Sequence, residues 1–344
     1  MRTEPTDLSP VDVARELASH WGIDAATLTY VPLGFGSHHW RAAGADGREW
    51  FVTVDDHRDG RMGFPAATSV EGLGRALRTA AMLSDVAGLP FVLPAVPGVT
   101  GELVYRVADG PYSIALFPLV AAERAGPGRW YPDEAARQAA VRMVGRVHAA
   151  TGSVPPDMPR RDDLTVPGRS GLLEALTRLD EPWMTGPYGE PARQLLREHG
   201  ESITRTFAAY DALAAPLLAD QSGWVVTHGE PHAGNVLLDV AGDFLLIDWD
   251  TVAIGPPERD LWMLVPESGP ADWSAYTDVT GVGTVSEMAI RAYRMWWDLS
   301  ETATFVAWFR RPHTETTDTT LAWGGLSGTF PLNPDYFDDG TSTG

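Results

Sequence analysis

The chain contains no cysteine and no lysine. The first absence excludes disulfides, thiolate zinc sites and thiol nucleophiles. The second excludes a P-loop, whose Gly-Lys-Ser/Thr core needs the ammonium group, and a pyridoxal Schiff base. All 26 basic residues are therefore arginines, set against 46 acidic residues for a formal charge of -20. That balance argues against nucleic acid or an anionic membrane as a partner. It suits a cationic ligand, and equally a surface that is simply acidic. Long apolar runs are missing too: no stretch reaches the roughly 18 residues of a membrane span. The N-terminal MRTEPTDLSP has no apolar segment of the signal-peptide kind. The expectation is a soluble, cytoplasmic protein, a monomer or homodimer, without a membrane or nucleic-acid partner.

What is present is a globular composition. Hydrophobic residues make up 44% of the chain, with 13 tryptophans, and 344 residues suffice for two lobes with sizeable cores. No internal repeat or long low-complexity tract interrupts it.

The most informative stretch is Trp224 to Asp250, WVVTHGEPHAGNVLLDVAGDFLLIDWD. Trp224-Val225-Val226 reads as a buried strand. The loop from His228 to Asn235 holds two glycines and a proline, so it is not the inside of a helix. Val236-Leu237-Leu238 and Phe244-Leu245-Leu246-Ile247 read as a hairpin turning at Ala241-Gly242-Asp243. The hairpin delivers Glu230, Asn235 and Asp248 to one end of a small sheet. Three oxygen-bearing side chains on short supports suit a hard cation and a reacting hydroxyl.

The spacing of His228-Gly229-Glu230, then Asn235, then Ile247-Asp248-Trp249-Asp250 resembles the aminoglycoside phosphotransferase family, relatives of the protein kinases. Pro257-Glu258-Arg259-Asp260-Leu261-Trp262 resembles the family's segment after the metal-binding aspartate. The resemblance implies an α+β, bilobal, protein-kinase-like fold. Residues 1–117 would form an N-terminal nucleotide-binding lobe with an antiparallel sheet and a helix, and 118–344 a mainly helical C-terminal lobe. It also implies an O-phosphotransferase using Mg2+ and ATP or another nucleoside triphosphate. Asn235 and Asp248 would hold the magnesium, while Glu230 would orient the acceptor hydroxyl and take its proton. His228 would pack the loop and Asp260 would anchor it. His232 reads either as loop packing or as a neighbour of the phosphates, and Asp250 as a group beside the metal. The family usually carries Asp where this chain has Glu230. One added methylene moves the carboxylate by roughly 1 Å, a misplacement that costs about a hundredfold unless the pocket compensates.

Ahead of that stretch, residues 9–21 read as a helix with Ser9 as cap and Pro10 in the first turn. Tyr30 to Leu33 leads into Gly34-Phe35-Gly36-Ser37, and strands follow at 40–42 and 50–54. Alone, Gly-Phe-Gly fits a plain hairpin turn; beside the 228–248 segment it reads as a loop whose Gly34, Gly36 and Ser37 meet phosphate. The family's phosphate-binding Lys would fall at Thr53, whose uncharged hydroxyl cannot replace an ammonium. Either an arginine reaches in instead, with Arg41, Arg61 and Arg75 as candidates, or nucleotide binding leans on magnesium and the loop. Residues 68–87 read as a helix in which Glu71 stands either as a kinase-type glutamate or as a solvated charge. A hairpin at 103–107 and 112–119, turning at Asp109-Gly110, would end on the hinge. There Phe117 to Leu119 would meet adenine.

In the C-terminal lobe, helices are expected at 132–151, with His148 as a core histidine, and at 171–184, 190–219, 284–299 and 300–312. Trp297, Asp298 and Glu301 set acids beside aromatics, as an amino-sugar ligand would require, although core packing explains such aromatics equally well. The implied substrate is an aminoglycoside or related antibiotic, modified for resistance or self-protection. Kinase chemistry on an amino alcohol or sugar, and a nucleotide-binding pseudoenzyme altered at 53 and 230, are the alternatives. The same letters fail other templates. His228-Gly229-Glu230 matches the H-x-E of zinc deaminases, but their P-C-x-x-C partner needs cysteine. HExxH needs a helix that Gly229, Pro231 and Gly234 forbid.

Overall fold

A computed structural model of the chain describes residues 1–58, 69–107, 110–126, 128, 130–333 and 336. Arg61 and Asp109, both singled out above, lie outside these. Helix α1 (Pro10–Trp21) starts as the sequence predicts, with Ser9 and Asp12 bonding reciprocally in a capping box and Pro10 in the first turn. Val13 and Leu17, one turn apart, are fully buried. Strands β1 (Ala25–Tyr30), β2 (His38–Gly44) and β3 (Glu49–Asp56) form a meander. Trp40 and Ala42, then Val52 and Val54, bury every second position, the period of a strand with one covered face. Helix α2 (Val70–Asp85), capped by Ser69, and strands β4 (Val104–Arg106) and β5 (Tyr112–Pro118) complete this part. The sheet runs β1-β2-β3-β5-β4, with antiparallel neighbours throughout.

The rest is mainly helical: α3 (Glu134–Ala149), α4 (Arg169–Thr177), α5 (Gly189–Ala219), α6 (Glu258–Leu261), α7 (Ser274–Thr280), α8 (Glu287–Phe309) and α9 (Thr317–Gly328). Six short strands serve the site: β6 (Ala122–Arg124), β7 (Arg160–Arg161), β8 (Val225–Thr227), β9 (Val236–Asp239), β10 (Phe244–Leu246) and β11 (Ala253–Gly255). They pair as two sheets, β10-β9-β6 and β7-β11-β8. This is the α+β architecture expected. Among the described residues no helix is long and apolar enough to cross a membrane.

Two expectations are corrected and one helix is added. The two helices at 284–299 and 300–312 are one, α8, because Leu299 and Ser300 sit buried in mid-helix and neither breaks it. The helix expected to reach 184 ends at Thr177. Helix α9 was not foreseen: its run of Thr and Gly has poor propensity, but a Thr316–Thr319 capping box and burial of Ala322 and Leu326 hold it.

Helix α2 ties the N-terminal sheet to the rest. Leu73 and Leu77 pack with Val104 and Ala115 on the sheet. Ala76, Ala80 and Leu83 instead join the large core with Val141, Val144 and Trp249. The core thus crosses the division drawn at 117/118. The chain just after α2 also bonds directly to β10, Leu246 N–H donating to Phe91 O at 2.6 Å and Leu93 N–H to Leu246 O at 3.2 Å. Asp248 follows two residues beyond the end of that strand.

Candidate active site

The loop between β8 and β9 is held from behind by Asp260. Its carboxylate, fully buried, accepts from the backbone N–H of His228 at 2.8 Å and of Gly229 at 2.5 Å, and meets His148 Nε2 at 3.0 Å. Burial alone would raise this carboxyl, yet the His148 hydrogen bond and nearby positive charge outweigh it and hold the group below its ordinary range. His148 is 2% exposed and also meets the Tyr276 hydroxyl at 2.9 Å, so it is the core histidine expected.

His228 packs the loop as expected. Its Nε2 lies 2.8 Å from the Ile247 carbonyl, which can only accept, and Glu230 N–H donates to its Nδ1 at 3.1 Å. Those two partners assign the Nε2–H tautomer, and burial pushes the ring's pKa down to about 4. Gly229 has φ +104°, and a Cβ there would come within 2.6 Å of Arg259 Nη1 and Thr251 Oγ1. Only glycine fits. Arg259, also buried, fastens the same loop through Thr227 Oγ1 at 2.9 Å and the Thr251 carbonyl at 2.8 Å.

Asn235 and Asp248 meet through the hairpin. Leu246 pairs with Val236, and Ile247 N–H donates to the Asn235 carbonyl at 3.0 Å. The Asn235 side-chain nitrogen donates to Glu230 O at 3.1 Å, which leaves its carboxamide oxygen as the free donor atom. Asp248 takes the left-handed conformation, φ 68° and ψ 60°, strained for a residue with a side chain and typical of functional positions. The surrounding protein, and then the Asp55 carboxylate, push the Asp248 carboxyl above its ordinary range, with Arg124 opposing. Two hard oxygen ligands beside a cavity, one of them a carboxylate, fit a divalent cation such as Mg2+. Among the described residues no cluster of three His, Asp or Glu offers an alternative metal site.

A cavity of about 590 Å³ joins these parts. Gly34, Gly36 and Ser37 line it, as do Glu230, Asn235 and Asp248, so the glycine loop and the catalytic loop face one space. Ser37 is fixed by donating to Asp55 at 2.6 Å. Glu230, with 19% of its side chain exposed, is pushed up to about 8 by burial first and then by Asp248 and Glu301, against Arg259. His232 and Asp250 line the cavity, and His232 Nε2 lies 4.0 Å from Glu230 Oε2. Trp297, Glu301 and Phe305 enter from α8 at helical spacing.

Other expected residues fall elsewhere. Asp298 is a helical step round from Trp297 and does not line the cavity; it accepts from the Tyr336 hydroxyl at 2.5 Å. Thr53 is also off the cavity, 3.3 Å from His39 Nδ1. Neither Phe117 nor Leu119 lines it: Phe117 packs beside the cluster of Leu73 and Leu77, and Leu119 N–H points to Glu49 O at 3.5 Å. Glu71 bonds Arg75 at 2.8 Å on the surface, the solvated alternative. Residues missed from the sequence are His39, Trp262, Phe305, Arg2 and Arg124, all on the cavity. Only the periodicity of α8, read as one helix, could have signalled Phe305.

The sequence pattern of the phosphotransferase enzyme family, APH, matches residues 29–303. Protein StrN of Streptomyces griseus is 28% identical over 316 residues, spanning 88% of this chain and 86% of StrN. Among solved structures, a spectinomycin phosphotransferase in complex with ADP and spectinomycin superposes with a TM-score of 0.72 at 15% identity, over 94% of this chain and 95% of that one. A microcompartment-associated aminopropanol kinase superposes with a TM-score of 0.57 at 17% identity, over 93% and 95%. At such identities the structural likeness speaks for the fold, while the family pattern extends from β1 into α8. The chain belongs to the phosphotransferase enzyme family and is a small-molecule phosphotransferase.

Proposed function

We propose that the protein transfers the γ-phosphoryl group of ATP, with Mg2+, to a hydroxyl of a small cationic molecule, an aminoglycoside or related antibiotic. One observation carries this reading: a single cavity is lined by the glycine loop, by the oxygen donors Asn235 and Asp248, and by Glu230. Bound Mg2+ would supply charge neutralisation to the β- and γ-phosphates. Asn235 and Asp248 are the residues to hold it. Backbone N–H groups around Gly34 and Gly36 receive phosphate oxygens. Glu230 orients the acceptor hydroxyl and takes its proton, and burial first, then the negative charge of Asp248 and Glu301, makes it a stronger proton acceptor than a free carboxylate. Glu301 beside Trp297 offers a carboxylate and an aromatic face to an amino-substituted ring.

The test is incubation with Mg-ATP and a panel of aminocyclitols, amino alcohols and sugars, with phosphoryl addition followed by mass. Product from an aminocyclitol is the expected result. Product from amino alcohols or sugars alone would move the substrate to a metabolite. Magnesium-dependent nucleotide binding without product on any of them would favour the pseudoenzyme. No such binding at all would overturn the reading.

A further inference from the structure

A phosphotransferase needs a cation on the nucleotide phosphates, and β3 supplies none. The two described arginines suggested by sequence are engaged elsewhere: Arg41 Nε bonds Glu49 at 2.9 Å and Arg75 bonds Glu71 at 2.8 Å. Two other arginines, Arg2 and Arg124, line the cavity with the glycine loop. Neither guanidinium has a hydrogen-bond or ion-pair partner among the described residues.

Their backbones are firmly placed. Arg124 lies on β6, in register with Leu237 on β9, two residues from Asn235. Arg2 belongs to a segment that bridges both parts of the fold. Its N–H and that of Thr3 each donate to the Asp318 carboxylate at 2.8 Å, and Asp318, in the first turn of α9, is 1% exposed. On the other side the Tyr30 hydroxyl lies 2.8 Å from the Met1 carbonyl and 2.9 Å from that of Thr3. The glycine loop is also pinned, Phe35 packing edge-on to Phe305 and Trp308 of α8 at 5.8 and 6.3 Å between ring centres. A backbone fastened this tightly, with its long cationic side chain left uncommitted at a cavity, is arranged for an anion.

We propose that Arg2, together with Arg124, grips the nucleotide phosphates in place of the missing N-lobe lysine. This rests on the phosphotransferase reading above. The guanidinium fork matches phosphate oxygens in pairs and stays charged at every working pH. A cationic acceptor would be repelled by the same two groups, so the phosphate end of the cavity is their fitting occupant.

Calorimetric titration with Mg-ATP tests it on wild type, Arg2→Ala, Arg2→Lys, Arg124→Ala and the double alanine variant, at low and high salt, with thermal midpoints measured alongside. Each alanine variant is expected to bind Mg-ATP about 10- to 100-fold more weakly. Its salt dependence should be flatter, and its midpoint that of the wild type. Arg2→Lys is expected to recover part of the affinity. Wild-type affinity in the double variant would overturn the inference and leave the phosphotransferase reading intact. A loss of affinity matched by a lowered midpoint and unchanged salt dependence would also overturn it, as a merely structural role. No Mg-ATP binding by the wild type would instead remove the reading beneath it.

Discussion

The Asn235 side-chain nitrogen donates to the backbone carbonyl of Glu230 at 3.1 Å. One bond therefore joins the residue proposed to hold the metal to the residue proposed to orient the acceptor. It also decides which atom of the carboxamide faces the cavity. Asn235→Asp keeps an oxygen there but sets a carboxylate oxygen against the Glu230 carbonyl. We expect kcat to fall about 100-fold, on the scale of an ångström's misplacement, with the fold retained by circular dichroism. Turnover within a few fold of wild type would show that the bond does not position the loop.

Asp260 is expected to matter for stability first. Asp260→Ala leaves the N–H groups of His228 and Gly229 and the ring of His148 without their shared acceptor in a fully buried place. Each unsatisfied buried donor costs about 1–3 kcal/mol. A total loss of several kcal/mol in denaturant unfolding is the expected outcome. A change below about 1 kcal/mol would mean the loop has another anchor.

Gly229→Ala forces a side chain into a left-handed conformation and against Arg259 and Thr251. The backbone term alone is on the order of 1–3 kcal/mol. The clash would shift the loop carrying Glu230, so kcat should drop with stability. A variant with wild-type kcat and stability would show that the loop relaxes without cost.

Much of this was legible in the sequence, for reasons particular to each element. His228, Glu230, Asn235 and Asp248 sit in one stretch of 21 residues, where strand and turn chemistry act locally and spacing maps onto geometry. Ser9 with Pro10, and the alternation of Trp40, Ala42, Val52 and Val54, are equally local signals. The reading failed where contacts span the chain. Arg2 is held at the cavity by Asp318, 316 residues away, and, through its neighbours Met1 and Thr3, by Tyr30 of β1. Asp298 looked like a ligand from composition, but its azimuth on α8 turns it toward Tyr336. The absence of lysine was visible at once; what stands in its place was not.

His39, on the cavity beside the glycine loop, offers a pH test of stability rather than of turnover. It stacks on Phe51 with 4.9 Å between ring centres, and burial above all pushes it down to about 3. The unfolded chain takes up a proton near pH 6.5 while the folded chain does not until about 3, so folding loses stability as pH falls through that window. His39→Gln lacks this loss. The wild type should therefore lose stability relative to the variant by at most about 1.4 kcal/mol per pH unit below pH 6.5. Denaturant unfolding of both proteins between about pH 7.5 and pH 5 checks it. A constant gap would contradict a His39 that the fold keeps neutral.

The most direct test is Asp248→Asn, followed by phosphoryl transfer from ATP at saturating Mg2+ to whichever panel compound the wild type modifies. The variant keeps the shape of the side chain and removes the charge that the cation needs. If Asp248 holds the metal, product formation falls to background while nucleotide binding without Mg2+ survives. Turnover within about tenfold of wild type would contradict the account, because transfer would then not depend on the carboxylate placed two residues beyond β10.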